Sequence, residues 1–210
     1  MIRTVLFDMD GVLIEAKEWH YEALNDVLRL FGMEIDRDSH LATYDGLPTR
    51  RKLEMLSKAR GFPRGLHELV NTLKQGKTSE IAMRRCRPVF HHLHALSRLK
   101  QDGLLLGVCS NSVRQSVELM MSLSGLTPNL DIIVSNEDVQ KAKPDPEMYL
   151  KAMAQLGAMP SETLILEDNE HGIAAARASG AHVMIVGTPA DVRYDRISAE
   201  IRRIDQQALV

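Results

Sequence analysis

The first eleven residues, MIRTVLFDMDG (residues 1–11), decide the fold. Here a short apolar run, Thr4–Phe7, is followed at once by the acidic segment Asp8-Met9-Asp10-Gly11. Runs of the same character recur at Leu104–Cys109, Ile132–Ser135, Thr163–Leu166 and Val183–Val186. Short, nearly continuous apolar runs are typical of strands that are buried on both faces, as in a parallel sheet covered by helices.

Amphipathic stretches of helical length follow three of these runs. They are Ser112–Leu123, Pro146–Leu156 and Gly172–Ser179. Alternation of strands and helices predicts βαβ units, and therefore an α/β fold with a doubly wound parallel sheet. The polar, amphipathic segment Asp191–Val210 predicts a final helix packed on the surface.

The first crossover is different, because residues 16–87 show helical periodicity and no convincing strand. One apolar stripe runs from Trp19 to Phe31 and ends at Gly32, a residue type that commonly ends helices. A connection of about seventy residues is far longer than an ordinary crossover. We therefore expect two domains, a core made of residues 1–15 and 88–210 and a small all-helical domain at residues 16–87.

Composition excludes several classes of function. Apolar residues make up 44% and charged residues 26% of the chain, as in ordinary globular proteins. The net charge of −2 favours neither a nucleic acid nor an acidic membrane as a partner. No apolar run approaches the roughly 20 residues of a membrane helix, and the first residues lack the pattern of a secretory signal. We expect a cytoplasmic, monomeric protein.

The cysteines and a group of histidines predict no metal site of their own. Cys86 and Cys109 are too few for a zinc site, and we expect no disulfide between them. His91, His92 and His94 lack an acid or a cysteine at a spacing suited to zinc. We expect these histidines to be ordinary surface residues.

Polar side chains follow four of the apolar runs. They occur in the segments Asp8-Met9-Asp10-Gly11, Ser110-Asn111, Lys143-Pro144-Asp145-Pro146 and Glu167-Asp168-Asn169. In a doubly wound sheet the ligand site lies beyond the carboxyl ends of the strands. The sequence therefore predicts one site at which acids, a hydroxyl group and a lysine meet.

These residue types suit the cleavage of a phosphate ester. A phosphate monoester is anionic, so an anionic nucleophile needs a metal ion and a cation to neutralise it. Mg²⁺ prefers oxygen ligands, and we expect Asp8 and Asp168 to bind it directly. Glu167 is expected to hold a coordinating water, and Asp10 to contribute its backbone carbonyl. The predicted cofactor is therefore Mg²⁺.

The same residues divide the catalytic work. Ionised Asp8 is the expected nucleophile. Lys143 is expected to bridge Asp8 and the phosphoryl group, while the Ser110 hydroxyl binds phosphoryl oxygens as their charge grows. Asp10 is expected to protonate the leaving alcohol and then to activate the water that hydrolyses the acyl phosphate.

The four segments resemble, in order, the four motifs of the haloacid dehalogenase-like superfamily. Gly172-Ile173-Ala174-Ala175-Ala176 resembles the segment that follows the fourth motif, and the helical insertion resembles the all-helical type of cap domain. Within the superfamily, the chain most resembles the branch of β-phosphoglucomutases and small sugar-phosphate phosphatases. The resemblance implies a phosphatase or a phosphomutase, with residues 16–87 as the cap.

Three further residues are candidates for substrate binding. Asn111 either shapes the site or caps the helix that follows it. His20 lies at the start of the cap, where the resemblance implies a histidine that couples cap and core; the alternative is a histidine on a helix surface. Arg50 opens the run Arg50-Arg51-Lys52, which either grips a distal anionic group of the substrate or forms a solvated face.

Three functions compete. The first is a phosphatase for a small phosphorylated metabolite, such as a sugar phosphate. A sugar phosphomutase would return the phosphoryl group to the sugar, but the arginine that the resemblance implies for this activity is not matched in spacing by Arg50. A phospho-accepting signalling module also uses a strand-end aspartate and a lysine, yet it lacks the long insertion and the Asp-x-Asp-Gly segment. A dehalogenase would lack the second acid, Asp10.

Overall fold

The structure is a computed structural model that describes residues 1–208, and it contains two compact units. The sheet unit comprises Met1–Glu15 and the segment that begins at Arg87. The helical unit comprises Ala16–Cys86. Each unit has its own cluster of buried apolar side chains.

The sheet unit is built on parallel strands. They are β1 (Thr4–Phe7), β2 (Leu105–Cys109), β3 (Ile132–Val134), β4 (Thr163–Glu167) and β5 (His182–Ile185), in the order β3-β2-β1-β4-β5. The predicted α/β class with a doubly wound parallel sheet is confirmed. Each strand ends within one residue of the predicted run. Strands β1, β2 and β4 are almost fully buried, and such strands are nearly continuous in apolar character.

Helices make up the remaining regular structure of the described residues. In chain order they are α1 (Lys17–Arg29), α2 (Arg37–Ser39), α3 (Thr49–Arg60), α4 (His67–Arg85), α5 (Phe90–Gln101), α6 (Arg114–Leu123), α7 (Glu147–Leu156), α8 (Glu170–Ala178) and α9 (Tyr194–Gln207), with short 3₁₀ or π turns between some of them. The predicted final helix corresponds to α9, while Leu209 and Val210 lie outside the described residues. No helix within residues 1–208 is both long and apolar enough to cross a membrane.

The central strand fixes the position of the acidic segment. β1 lies between β2 and β4, and Val5, Leu6 and Phe7 are fully buried. The ladder continues past the strand, since the Asp8 N–H donates to the carbonyl of Leu166 at 3.0 Å. Because the strands are parallel, their carboxyl ends share one edge, and the backbone of Asp8 is anchored there by the sheet.

The helical unit packs α1, α3 and α4 around an apolar cluster that includes Leu24, Leu28, Leu53 and Leu56. The side chain of Asn25 holds the chain after α1, since it accepts from the N–H and donates to the carbonyl of Ile35, both at 2.9 Å.

A histidine that was expected on the surface is buried. His92 is only 2% exposed, because it lies on the same face of α5 as Ala95, Leu96 and Leu99, and its Nε2 lies 2.7 Å from the Pro189 carbonyl oxygen. The expectation of a surface histidine is therefore wrong at this position. Within Arg50-Arg51-Lys52 the arginines are exposed, but Lys52 is buried beside Leu53 and Leu56 on the inner face of α3.

Candidate active site

A buried ion pair lies at the carboxyl edge of the sheet. Asp8 follows β1, and the ammonium group of Lys143 donates to its Oδ1 at 2.6 Å. The same ammonium donates to the carbonyl of Cys109 at 2.8 Å and to Glu167 Oε1 at 2.7 Å. An ammonium group has three donors, so all three have acceptors and the nitrogen is fixed between the ends of β1, β2 and β4.

Asn111 holds the backbone of Lys143. Its Oδ1 accepts from the Lys143 N–H at 3.1 Å, and its Nδ2 donates to the Lys143 carbonyl at 3.3 Å. Asn111 is held in turn by Asn136, whose side chain donates to the Asn111 carbonyl at 2.8 Å. The peptide bond between Lys143 and Pro144 is cis. The structure thus gives Asn111 a contact that orients the lysine, which the sequence did not predict.

The carboxylate of Glu167 is enclosed on all sides. It is fully buried at the end of β4, and Oε1 accepts from Lys143 and from the Tyr149 hydroxyl at 2.5 Å. Oε2 accepts from the backbone N–H of Asp168 at 3.2 Å and lies 3.5 Å from the Asn169 amide nitrogen. A carboxylate can accept about four hydrogen bonds, so the four donor groups around Glu167 occupy its acceptor positions.

Gly172 allows α8 to approach that carboxylate. A Cβ atom at this position would lie 1.9 Å from Glu167 Oε1. The helix begins at Glu170, and the Asn169 side chain caps it by accepting from the Gly172 N–H at 3.0 Å. Close approach, rather than an unusual backbone angle, therefore explains the glycine.

Burial and charge act in opposite directions on the ion pair. Burial raises the pKa of Asp8 well above its ordinary value; Lys143 lowers it, while Glu167 and Asp10 raise it further. For Lys143, burial lowers the pKa, but the carboxylates of Asp8 and Glu167 outweigh that effect and raise it. Lys143 is therefore an ammonium ion at neutral pH, and it favours the ionised form of Asp8.

Two neighbouring groups stay protonated. Burial is the main cause that raises the pKa of Cys109 to about 12, so this thiol is not a nucleophile at neutral pH. Burial, followed by the charge of Glu167, raises the pKa of Tyr149. Tyr149 therefore donates its hydroxyl hydrogen to Glu167.

The donor set at this edge fits a hard cation. Oxygen atoms of Asp8, Glu167 and Asp168 lie within 4.8 Å of one another. Asp8 Oδ2 receives no hydrogen bond from residues 1–208, so only one of its two oxygens is used by Lys143. The charge of Asp10 also acts on Asp8, so these four carboxylates and the Lys143 ammonium group carry a formal charge of −3 when all are ionised. Carboxylate oxygens and an excess of negative charge suit Mg²⁺.

Ser110 and Asp10 come together through Ser112. Ser110 is buried after β2, and its Oγ accepts from the Ser112 N–H at 3.1 Å. The Ser112 hydroxyl donates to Asp10 Oδ2 at 3.1 Å. The hydroxyl hydrogen of Ser110 therefore remains available to a ligand. The hydrogen bond from Ser112 holds the Asp10 carboxylate close to the site.

Other predicted residues belong to the helical unit. His20 is half-buried on α1, and its Nδ1 accepts from the ammonium group of Lys74 at 3.0 Å. Arg50 is exposed on α3, whereas Lys52 and Lys74 are each 6% exposed. His40 is buried, its Nδ1 has no hydrogen-bond partner among the described residues, and burial and the charge of Lys52 lower its pKa to about 4.

Several residues of the network were not predicted from the sequence. Tyr149 looks like a core residue of an amphipathic helix, and only its position six residues after Lys143 hints at another role. Ser112 directly follows Ser110-Asn111, a proximity that could have drawn attention to it. In the helical unit, which is a separate part of the structure, no sequence signal marked Lys74 on α4 or His40, which follows α2.

Comparisons with known proteins agree with this geometry. Residues 5–186 match the profile of the haloacid dehalogenase-like hydrolases. A pyrophosphatase, PpaX of Bacillus mycoides, is 29% identical over 88% of this chain and 83% of its own length. A phosphatase of phosphorylated carbohydrates from Thermotoga maritima is 27% identical, covering 85% of this chain and 82% of its own.

Solved structures share the fold. A β-phosphoglucomutase from Clostridium difficile superposes with a TM-score of 0.85 at 18% identity and covers the whole of both chains. CbbY from Rhodobacter sphaeroides, solved with xylulose-1,5-bisphosphate, gives a TM-score of 0.81 at 22% identity over 88% of this chain and 86% of its own. Because the profile match spans most of the sequence, the chain belongs to the haloacid dehalogenase-like hydrolase family, and the predicted family and enzyme class are confirmed.

Proposed function

We propose that this phosphatase hydrolyses a small phosphorylated metabolite, in particular a sugar phosphate, with Mg²⁺ as cofactor and through an aspartyl-phosphate on Asp8. The observation that carries the proposal is the geometry of Asp8. One carboxylate oxygen is held by Lys143 at 2.6 Å, while the other receives no hydrogen bond within residues 1–208. A buried carboxylate with one fixed and one available oxygen suits a nucleophile.

The metal would be held by Asp8 and Asp168, with the Asp10 carbonyl as a third protein ligand. When bound, Mg²⁺ supplies positive charge against the phosphoryl oxygens and favours the ionised form of Asp8. Glu167 has a different part in this proposal, because its oxygens already face Lys143, Tyr149 and the start of the loop after β4. It orients the lysine and completes the acidic cluster.

In the first step, an oxygen of Asp8 attacks the phosphorus atom. The new bond forms between that oxygen and phosphorus, and the bond from phosphorus to the ester oxygen breaks. Asp10 gives its proton to the departing alkoxide, which leaves as the alcohol. The Ser110 hydroxyl donates to the phosphoryl oxygens while their charge develops, and the positive charge of Lys143, whose three N–H groups already have acceptors, stabilises that charge electrostatically.

In the second step, water attacks the phosphorus atom of the aspartyl-phosphate. Asp10, now ionised, removes a proton from that water. The bond between phosphorus and the Asp8 oxygen breaks, so the carboxylate is regenerated and inorganic phosphate leaves. Lys143 stabilises the returning carboxylate, as it does in the resting enzyme.

Similarity supports the substrate class. The relatives from Bacillus mycoides and Thermotoga maritima are named for the hydrolysis of pyrophosphate and of phosphorylated carbohydrates. In the helical unit, Lys52 and Lys74 are buried cations. We include in the proposal that these residues, rather than exposed Arg50, contribute to substrate preference, because cations in the helical unit favour an anionic substrate.

The test is a screen for phosphate release over a panel of phosphorylated sugars and other small metabolites, with wild-type protein and Asp8→Asn in parallel. We expect one or a few substrates to release inorganic phosphate repeatedly with the wild type and not with the variant. Product analysis separates the alternatives. An isomeric sugar phosphate in place of inorganic phosphate would favour a phosphomutase, and a single turnover that stops would favour a phospho-accepting module.

A further inference from the structure

We propose that Tyr149 is a positioning residue that keeps Lys143 shared between Glu167 and Asp8. The inference rests on the proposed function, because it assigns to Tyr149 a part in maintaining the nucleophile. Within residues 1–208, Tyr149 makes no hydrogen bond to Asp8. It acts through Glu167 and Lys143, which it contacts.

The contacts of Tyr149 place one side chain against both partners. Its hydroxyl donates to Glu167 Oε1 at 2.5 Å, the same oxygen that accepts from Lys143 at 2.7 Å. The face of its ring lies against the ammonium group, with 4.8 Å between Lys143 Nζ and the ring centroid. Packing alone needs only the ring, whereas a buried hydroxyl lowers stability unless it is hydrogen-bonded.

The backbone around Tyr149 is anchored to the loop that carries Lys143. Tyr149 lies in the first turn of α7, which begins at Glu147. The Glu147 carboxylate accepts from the backbone N–H groups of Gln140 and Lys141, both at 2.9 Å. The backbone N–H of Glu147 donates to Asp145 Oδ1 at 3.0 Å. The lysine and the tyrosine are therefore held by one compact segment, and Tyr149 is fully buried within it.

The hydroxyl matters because two carboxylates compete for one ammonium group. Glu167 and Asp8 both accept from Lys143, at 2.7 and 2.6 Å. A second donor on Glu167 Oε1 satisfies part of the charge of that carboxylate, so the ammonium remains available to Asp8. Without the hydroxyl, Glu167 attracts Lys143 more strongly, and the hydrogen bond from Lys143 that aligns the Asp8 carboxylate is weakened.

The decisive variant is Tyr149→Phe, which keeps the ring and removes the hydroxyl. Its matched control is Tyr194→Phe, because the Tyr194 hydroxyl also donates to a carboxylate, Asp102 Oδ2 at 2.8 Å, but at a half-buried position remote in sequence from the site. With a small generic phosphate ester, we expect kcat of Tyr149→Phe to fall by about 10-fold or more, as hydrogen bonds to charged groups imply. KM should change by less than about threefold, and the control should stay within about twofold of wild type.

A second variant, Glu167→Gln, removes the charge through which Tyr149 is proposed to act, so adding Tyr149→Phe to it should lower kcat by less than about twofold further. All assays are run at a temperature at which circular dichroism shows each variant to be folded, because a purely structural role would lower the unfolding temperature and leave kcat of the folded protein intact. Wild-type kcat in folded Tyr149→Phe, or the same loss on adding Tyr149→Phe to folded Glu167→Gln as to the wild type, would overturn the inference. Turnover that survives Asp8→Asn would instead contradict the proposed function itself.

Discussion

The ammonium nitrogen of Lys143 lies 2.6 Å from Asp8 Oδ1, and the two residues are only 3% and 5% exposed. They are 135 positions apart in the sequence, so the sheet creates this contact by bringing the ends of separate strands to one edge. Burial disfavours the charge on both groups, and each offsets that cost for the other. Loss of charge on either member would leave the other buried without its partner charge, which makes the site sensitive to changes in its charge.

Removal of metal should abolish turnover. Four carboxylates, those of Asp8, Asp10, Glu167 and Asp168, face a single lysine, and without a divalent cation their repulsion opposes the approach of an anionic substrate. We expect excess chelator to stop phosphate release and added Mg²⁺ to restore it. Mg²⁺ should also raise the unfolding temperature of the wild type more than that of Asp168→Asn, since a ligand stabilises the state that binds it. Full activity in metal-free protein would refute the metal assignment.

Two glycine substitutions should have opposite effects on stability. In Gly172→Ala the added methyl group would meet the Glu167 carboxylate at 1.9 Å, so the buried network must shift. We expect a loss of about 2 kcal/mol or more in the free energy of unfolding, together with a large loss of kcat. Gly76→Ala is the matched control, because Gly76 is an exposed position within α4 with nothing within 4 Å of the new atom.

The control should be more stable than wild type by about 0.5–1 kcal/mol, since alanine favours a helix interior, and its turnover should not change. Urea unfolding and steady-state kinetics measure both effects. If Gly172→Ala were as stable and as active as the wild type, the tight contact between α8 and Glu167 would have no bearing on the site.

Substrate preference should depend on Lys52 and not on its neighbour Arg50. Both residues are on α3, but Lys52 is buried and Arg50 is exposed. We expect Lys52→Met to lower kcat/KM about 10-fold or more for the preferred substrate of the screen, and to leave a small generic ester nearly unaffected. Arg50→Met should stay close to wild type on both. Equal losses on every substrate would show that Lys52 acts on folding or chemistry instead of preference.

The helical unit should lose stability in mild acid because of His40. Burial is the main cause that lowers its pKa to about 4, Lys52, His20 and Arg37 add to the effect, and Asp45 opposes it. In the unfolded chain a histidine has a pKa of about 6.5, so the unfolded state binds more protons between the two values. The free energy of unfolding should therefore be unaffected by this group above pH 6.5 and should fall as the pH decreases from 6.5 towards 4.

Urea unfolding at pH 7 and pH 5 measures this dependence, and His40→Gln is the test variant. We expect a weaker pH dependence in the variant, with part of it retained because burial also lowers the pKa of His92. Identical pH dependence in the wild type and the variant would show that His40 is not the responsible group.

The strands could be predicted almost to the residue, because a short apolar run between polar segments has few other interpretations. The chemistry at the sheet edge followed from them, since Asp8, Ser110 and Glu167 stand at or directly after strand ends. Helix starts were less accurate: α6 begins at Arg114 rather than Ser112, because the Ser112 side chain and backbone serve the loop.

Several residues that sequence analysis missed lie on helices, and their roles depend on which face of the helix is buried. Lys52 and His92 lie on inner faces, but a charged or titratable residue within a helix is usually exposed. Tyr149 fits the apolar stripe of its helix whether or not its hydroxyl group has a hydrogen-bond partner, so the pattern does not reveal that contact. His92 meets Pro189, 97 positions away, and Tyr149 meets Glu167 of another element, so this information appears only once the tertiary structure brings the partners together.

The central claim is that Asp8 carries the phosphoryl group during turnover. It can be tested by quenching the enzyme in acid during reaction with an activated aryl phosphate, reducing any acyl phosphate with borohydride, and locating the modified residue by peptide mass spectrometry. Asp10→Asn is the most informative protein, because an activated leaving group needs little protonation while hydrolysis of the intermediate still needs a base. Its turnover should be slower by about 10²–10⁴-fold, so the intermediate should accumulate.

We predict that the reduced product is found at Asp8 in the wild type and in larger amount in Asp10→Asn, with none in Asp8→Asn. Turnover by the wild type with no modification at Asp8 in either active protein, or wild-type turnover by Asp8→Asn, would contradict the account.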